Sequence, residues 1–293
     1  AMCMRFCLIS TCLIKDYPAF SESISHFKYS KGSIFIVRCI KPLVIHRQGH
    51  MACCTPSCLI FPHKFRCFSI FNIVNSHFPN FVASDDTCES CAAGYPSRCV
   101  HQVMMGSIGT QAQYARIPLA DGTLVVMPGE PPADLVPSLL AASDVLGTGW
   151  FAAVAAEAGP GRTVAVVGDG AVGLLGALAA KQLGSERVIV MSRHADRQAL
   201  ARRFGATDIV EERGDEGVAR IRELTGGLGA HSTIEAVGTQ ESMEQAIRAT
   251  RAGGHVGFVG VSHDVALDGS ELFFSSVHLH GGPAPVRRFL PEL

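Results

Sequence analysis

Cys88 and Cys91 are two residues apart, and Cys99 follows a turn that holds Gly94, Tyr95 and Pro96. A C-x-x-C knuckle presents two thiolates to one tetrahedral ion, and a later cysteine closes the loop onto it. A closed zinc site needs a fourth ligand. Asp85 lies three residues before Cys88, the offset that continues the knuckle, and a carboxylate oxygen is an acceptable zinc ligand. The competing chemistry is a redox dithiol, which ordinarily opens a helix in a thioredoxin-like unit, and the surrounding sequence has no such pattern. The spacing therefore predicts a structural zinc held by Asp85, Cys88, Cys91 and Cys99.

A second constellation is Gly168, Gly170 and Gly173, spaced G-x-G-x-x-G within GDGAVG. The first glycine permits a tight turn, the second lets backbone approach a pyrophosphate, and the third lets a helix pack close on a strand. A helix opening at Ala171 and Val172 would aim free N–H groups and its positive dipole end at the phosphates. In a chain with 30 glycines the motif alone could mark an ordinary turn. Here the β-branched run Thr163 to Val167 precedes it and a helical pattern follows, so it predicts dinucleotide binding.

The strand expected at Arg187 to Met191 ends where such a fold reads the adenosine ribose. A site for NAD usually has an acidic residue there, because a carboxylate accepts from both ribose hydroxyls. This chain has Ser192, Arg193, His194 and, further on, Arg197. A hydroxyl beside two guanidiniums suits a phosphate dianion, which predicts NADP over NAD. The competing reading is a solvated helix start, with Asp196 beside the arginines.

These groups need elements to hold them. Leu135, Leu139, Leu140 and Val145 are roughly helically spaced, and Trp150 to Ala158 is an alanine-rich helical run. Gln113 to Ile117 and Thr123 to Val126 read as strands joined by a turn at Asp121 and Gly122, before a linker from Pro128 to Pro132. After Met191 come a helix from Gln198 to Phe204 capped by Gly205, a strand from Ala206 to Val210 and a helix from Val218 to Leu224. Ser232 to Val237 reads as a fourth strand, Met243 to Arg251 as a helix, His255 to Val261 as a fifth strand and Val277 to His280 as a sixth. The alternation predicts a doubly wound parallel sheet. Ligands gather at strand carboxyl ends in such sheets, which points to Val237 and Gly260 as cofactor-facing.

At 293 residues and net charge −1 the chain has room for two cores, and nothing in the charge balance asks for nucleic acid. Its apolar runs fall short of a membrane span, and the start from Met2 to Ile14 makes a poor signal peptide, so the expectation is a cytoplasmic protein without a membrane partner. Composition changes near residue 80. All 11 cysteines lie at or before Cys99, and Lys181 is the only lysine after Phe81. The first 80 residues hold β-favouring runs, such as Ser33 to Ile40 and Phe68 to Val74, without clean alternation. Cys53, Cys54 and Cys58 there do not repeat a metal-ligand spacing.

Together S-D-D-T-C-x-x-C, L-A-D-G-T-L-V-V-M-P, S-D-V-L-G-T-G, G-D-G-A-V-G and L-H-G-G-P resemble the zinc-dependent alcohol dehydrogenases of the medium-chain dehydrogenase/reductase superfamily, from about Phe81 onward. The resemblance implies a GroES-like β-rich catalytic domain joined to a Rossmann domain. It implies an atypical segment over 1–80, a partial catalytic domain with the structural zinc lobe over 81–145, and a Rossmann NADP-binding domain over 146–293 that stops before the family's last helix. By the same resemblance Asp144 matches the third protein ligand of a catalytic zinc, and the region of Leu279 to Pro283, with Gly281, lies beside the nicotinamide. The substrate class implied is a primary or secondary alcohol and its aldehyde or ketone, handled by a homo-oligomer.

Departures from the family stand beside the match. The family's cysteine followed by Ser/Thr-Asp and its Gly-His-Glu are absent from residues 1–80: Gly49 and His50 precede Met51, and Cys39 could pair with His63 by spacing alone. The resemblance accordingly carries one catalytic-zinc ligand, Asp144, onto this chain. Two alternatives follow, a catalytically impaired NADP-binding member and a zinc-free quinone reductase of the same superfamily; the cysteine knuckle argues against the second.

Overall fold

The computed structural model describes residues 82–105, 115–127, 129 and 131–293, together with short strands at 27–28, 33–34, 65–68 and 77–78. Cys39, Gly49, His50, Cys53, Cys54, Cys58 and His63 lie outside the described residues, as do Gln113 and most of the two runs read as β-favouring in the first 80 residues. Two compact units divide the chain, Ala1–Asp85 with His101–Leu140 and Asp86–Val100 with Ala141–Leu293.

The first unit is built from short antiparallel strands. β1 (Phe27–Lys28) pairs with β2 (Ser33–Ile34), β3 (Phe65–Phe68) with β7 (Ala115–Pro118), β4 (His77–Phe78) with β8 (Val125–Val126), and β5 (Val82–Ala83) with β6 (Val103–Met104). Ala83, Met105, Ile117, Ala120 and Leu124 form its buried cluster. The turn expected at Asp121 and Gly122 is instead a helical turn, Ala120–Thr123, and the strands on either side pair elsewhere rather than with each other. The cause is a long-range contact joined to a local one: a Cβ on Gly122 would stand 2.3 Å from the Ser84 carbonyl oxygen, and the Thr123 hydroxyl donates to the Leu119 carbonyl at 2.8 Å. That close approach pins the segment to the backbone of Ser84 and leaves no room for a hairpin.

The second unit holds a six-stranded parallel sheet, made of β9 (Thr163–Val167), β10 (Arg187–Met191), β11 (Asp208–Val210), β12 (Ala230–Glu235), β13 (Thr250–Phe258) and β14 (His278–Gly281). Their spatial order is β11-β10-β9-β12-β13-β14. The order reverses between β9 and β12, which is where a doubly wound sheet opens a crevice at its strand carboxyl ends. The helices are α1 (Gly147–Ala155), α2 (Ala171–Gln182), α3 (Ala195–Arg203), α4 (Gly214–Leu224), α5 (Gln240–Ala249), α6 (Gly269–Ser275) and α7 (Val286–Phe289).

Successive residues of a strand face opposite sides of a sheet, and β9 uses both. Val164 and Val166 enter a core with Ala152, Leu174, Ala177 and Ile234, while Ala165 and Val167 enter another with Ile189, Met191, Val218 and Ile221. That double burial explains why β9 reads as an unbroken apolar run. β9 and β10 recur with the expected ends and the other expected strands of the sheet with shifted ones, and two short helices, α6 and α7, escaped the periodicity because neither spans two full turns. The helical run Ala133–Ala155 is long and apolar enough by composition to cross a membrane. Its later part buries Phe151, Ala152, Ala153 and Ala155 inside the protein.

Glu235, at the end of β12, is fully buried. Its Oε1 accepts from the backbone N–H of Val237 at 2.8 Å, from that of Gly238 at 2.7 Å and from the Ser242 hydroxyl at 2.8 Å. This one oxygen ties the turn after β12 to the start of α5. Glu235→Ala leaves the Val237 and Gly238 amides without their acceptor, at about 1–3 kcal/mol each, while the Ser242 hydroxyl can turn to the Thr239 carbonyl at 2.9 Å, so it should lower stability by about 2 kcal/mol or more in denaturant unfolding. Glu235→Gln keeps Oε1 and should lose clearly less; equal losses would show that the acceptor is not what matters.

Candidate functional site

The first βα turn of the second unit matches what its glycines demand. Gly168 has φ +116°, a conformation that side chains rarely adopt. A Cβ on Gly173 would lie 1.9 Å from the Gly168 carbonyl oxygen, so α2 can approach β9 only with glycine there. Gly170 is different. It caps α2 in an extended conformation, and a Cβ on it would meet nothing within 4 Å. Open space at this position, beside the N–H groups of Ala171, Val172 and Gly173 that a helix start leaves without intrahelical partners, fits a pyrophosphate.

The strand ends around this turn lie close together. A Cβ on Gly168 would come within 2.8 Å of the Val237 side chain, and one on Gly260 within 2.2 Å of the Gly238 nitrogen. Gly281, at the end of β14, packs so near Phe258 that a Cβ would lie 1.9 Å from its carbonyl oxygen. Gly260 and Gly281 thus meet a packing requirement of the strand ends themselves. Val237 is exposed at the same edge.

At the end of β10, Ser192 is buried while Arg193 and Arg197 are exposed. A residue absent from the motif reading joins them. Asp169, between the first two glycines, is 6% exposed and accepts from the Ser192 hydroxyl at 2.8 Å and from Arg197 Nη1 at 2.8 Å. Burial pushes the Asp169 carboxyl up, and the bonds from Ser192 and Arg197 outweigh it, so the group lies below the usual carboxylate range and is an anion. The motif leaves its position free, and its partners lie 23 and 28 residues away, so nothing in the sequence pointed to it.

The cysteine knuckle forms in the second unit. Cys88 precedes a one-turn helix, Glu89–Ala92, and Cys99 follows a 3-10 turn, Pro96–Arg98. Gly94, with φ +88°, makes the bend between them. Cys88 Sγ lies 3.5 Å from Cys91 Sγ and 4.0 Å from Cys99 Sγ. Thiolates at about 2.3 Å around one tetrahedral zinc stand about 3.8 Å apart, so the three sulfurs fit such an ion. Backbone N–H groups of Val100 and Cys91 pull the Cys88 thiol down to about 6, whereas burial pushes Cys91 up to about 12. One ready thiolate beside a reluctant thiol is the arrangement a cation would even out. The Asp85 carboxylate, in the first unit, is bonded to His101 Nδ1 at 2.7 Å, a neighbour the spacing argument did not include.

Asp144 lies in a π-helical turn, Ala142–Leu146, just before α1, and accepts from the Thr148 hydroxyl at 3.4 Å. Among the described residues no cluster of three metal-ligating side chains includes it. The described residues by themselves do not make a catalytic metal site.

The zinc-binding dehydrogenase family profile matches residues 171–283. The chain is 31% identical over 223 residues to zinc-type alcohol dehydrogenase B of Aspergillus flavus, covering 72% of this chain and 51% of that protein. It is 32% identical over 205 residues to the medium chain reductase/dehydrogenase ucsI of an Acremonium species, covering 65% of this chain and 69% of the relative. The zinc dependent alcohol dehydrogenase 2 structure from Streptococcus pneumonia superposes with a TM-score of 0.66 at 27% identity, over 74% of this chain and 62% of that one. The chain spans about half the length of the first of these relatives. By these matches the chain belongs to the medium-chain dehydrogenase/reductase family, with zinc-type alcohol dehydrogenases among its relatives.

Proposed function

We propose that this protein exchanges a hydride between NADP and a small primary or secondary alcohol, or the matching aldehyde or ketone. The open cradle at Gly170 carries the reading. The cofactor supplies the hydride chemistry; the chain binds and aims it. Ala171, Val172 and Gly173 offer amides to the pyrophosphate, and Ser192, Arg193 and Arg197 offer donors to the 2′-phosphate. Val237, Gly260 and Gly281 form the strand-end floor towards the nicotinamide. A structural zinc is held by Cys88, Cys91 and Cys99, and Asp144 is the residue of this chain assigned to a catalytic metal. A cytoplasmic setting without membrane or nucleic-acid partners accords with the near-neutral charge. The exposed Phe273 and Phe274 support assembly with further copies of the chain.

Three outcomes test this reading. In fluorescence titrations NADPH should bind at least about tenfold tighter than NADH, a margin one bidentate phosphate contact can supply, and Arg193→Ala should erode it; the same preparation should oxidise some member of a panel of primary and secondary alcohols with NADP. Equal affinities would remove the nucleotide assignment, and no turnover despite bound nucleotide would remove the dehydrogenase assignment. Gly170→Ala should fold normally, since its Cβ meets open space, yet weaken NADPH by about tenfold or more by blocking backbone approach. Loss of stability matching the loss of binding would argue against a cradle. Elemental analysis should find one tightly bound zinc that Cys88→Ser removes; turnover that depends on a further zinc lost in Asp144→Ala would mean that residues outside the described ones bring more ligands to Asp144.

A further inference from the structure

Two of the three side chains assigned to the 2′-phosphate are already engaged by an anion of the protein itself. Asp169 takes the Ser192 hydroxyl on Oδ2 and the Arg197 guanidinium on Oδ1, both at 2.8 Å. Ser192 is completely buried and Asp169 nearly so, whereas the Arg197 side chain is half exposed. Arg213 also bears on the Asp169 carboxylate through its charge, and its buried Nε has no partner among the described residues. An entering phosphate dianion must draw Arg197 and Ser192 away from Asp169 and then sit beside a like charge, an arrangement that interfaces use to reject a ligand. A ribose with a free 2′-hydroxyl meets no such opposition, since a hydroxyl is uncharged and can donate to a carboxylate.

We propose that Asp169 is a specificity-determining residue of the nucleotide site, which holds the preference for NADP over NAD below what Ser192, Arg193 and Arg197 would produce without it. This rests on the reading of those three residues as phosphate donors. Sharing its donors between an internal carboxylate and the phosphate leaves the pocket open to either nucleotide, with the margin between them set by one carboxylate charge. Asparagine at the position keeps the shape and an acceptor oxygen and removes the charge.

The test titrates NADPH and NADH into the wild-type chain, Asp169→Asn, Arg197→Ala and the double variant, and compares the ratio of the two affinities within each preparation. That ratio is insensitive to a fraction of unfolded protein. Asp169→Asn should raise the NADPH-to-NADH affinity ratio by about tenfold, mostly by tightening NADPH, and the double variant should lose that gain. An unchanged or lowered ratio in Asp169→Asn, with Arg197→Ala still weakening NADPH, overturns the role of Asp169 alone. If Arg197→Ala and Asp169→Asn both leave NADPH binding unaltered, the phosphate-donor reading fails, and this inference with it.

Discussion

The contact between Gly173 and the Gly168 carbonyl carries the second unit. α2 lies so close to the end of β9 that the space for a single methyl group does not exist. That closeness directs the first turn of α2 across the carboxyl end of β9, at the point where strand order reverses. Everything the proposed site would offer a nucleotide, the open face of Gly170, the amides behind it and the side chains at the end of β10, is measured from this one approach. Close packing of α1 on the same helix follows the same rule: a Cβ on Gly149 would fall 2.6 Å from the Gly176 nitrogen. Small residues along α1 and α2 let two helices and a sheet face stack with little side chain between them.

Much of the second unit was legible because its physics is local and periodic. β9 and β10 appear with the ends expected from their β-branched runs, since each is buried on both faces and tolerates no polar residue in between. Boundaries drifted where tertiary contacts override propensity. β12 ends at Glu235, two residues early, because the Glu235 side chain captures the next N–H groups and turns the chain. α3 starts at Ala195 rather than Gln198, its first turn being polar and exposed and so without the apolar period that marks a helix.

The site was legible in part, and the division is instructive. Glycine positions announce themselves, as only backbone geometry can require them. The three thiols likewise announced their cluster, and their sulfurs do gather within the span of one ion. Asp169 gave no such signal. A variable position between two glycines is free to hold any residue, and its bonds to Ser192 and Arg197 span 23 and 28 positions of sequence, which no spacing rule anticipates. In the first unit, the partner of Asp85 proved to be His101, 16 positions away, for the same reason.

Glu235 has a consequence for motion. The turn after β12 is irregular, borders the strand-end crevice and carries the exposed Val237, features that usually go with local opening and fast amide exchange. Here the Val237 and Gly238 amides both point into a buried side-chain oxygen. Their protons are therefore withdrawn from solvent as fully as those of a ladder, and the turn gives up its conformational entropy when the chain folds. A nucleotide bound as proposed would meet that surface already still, so less of its binding energy would be consumed in ordering the protein.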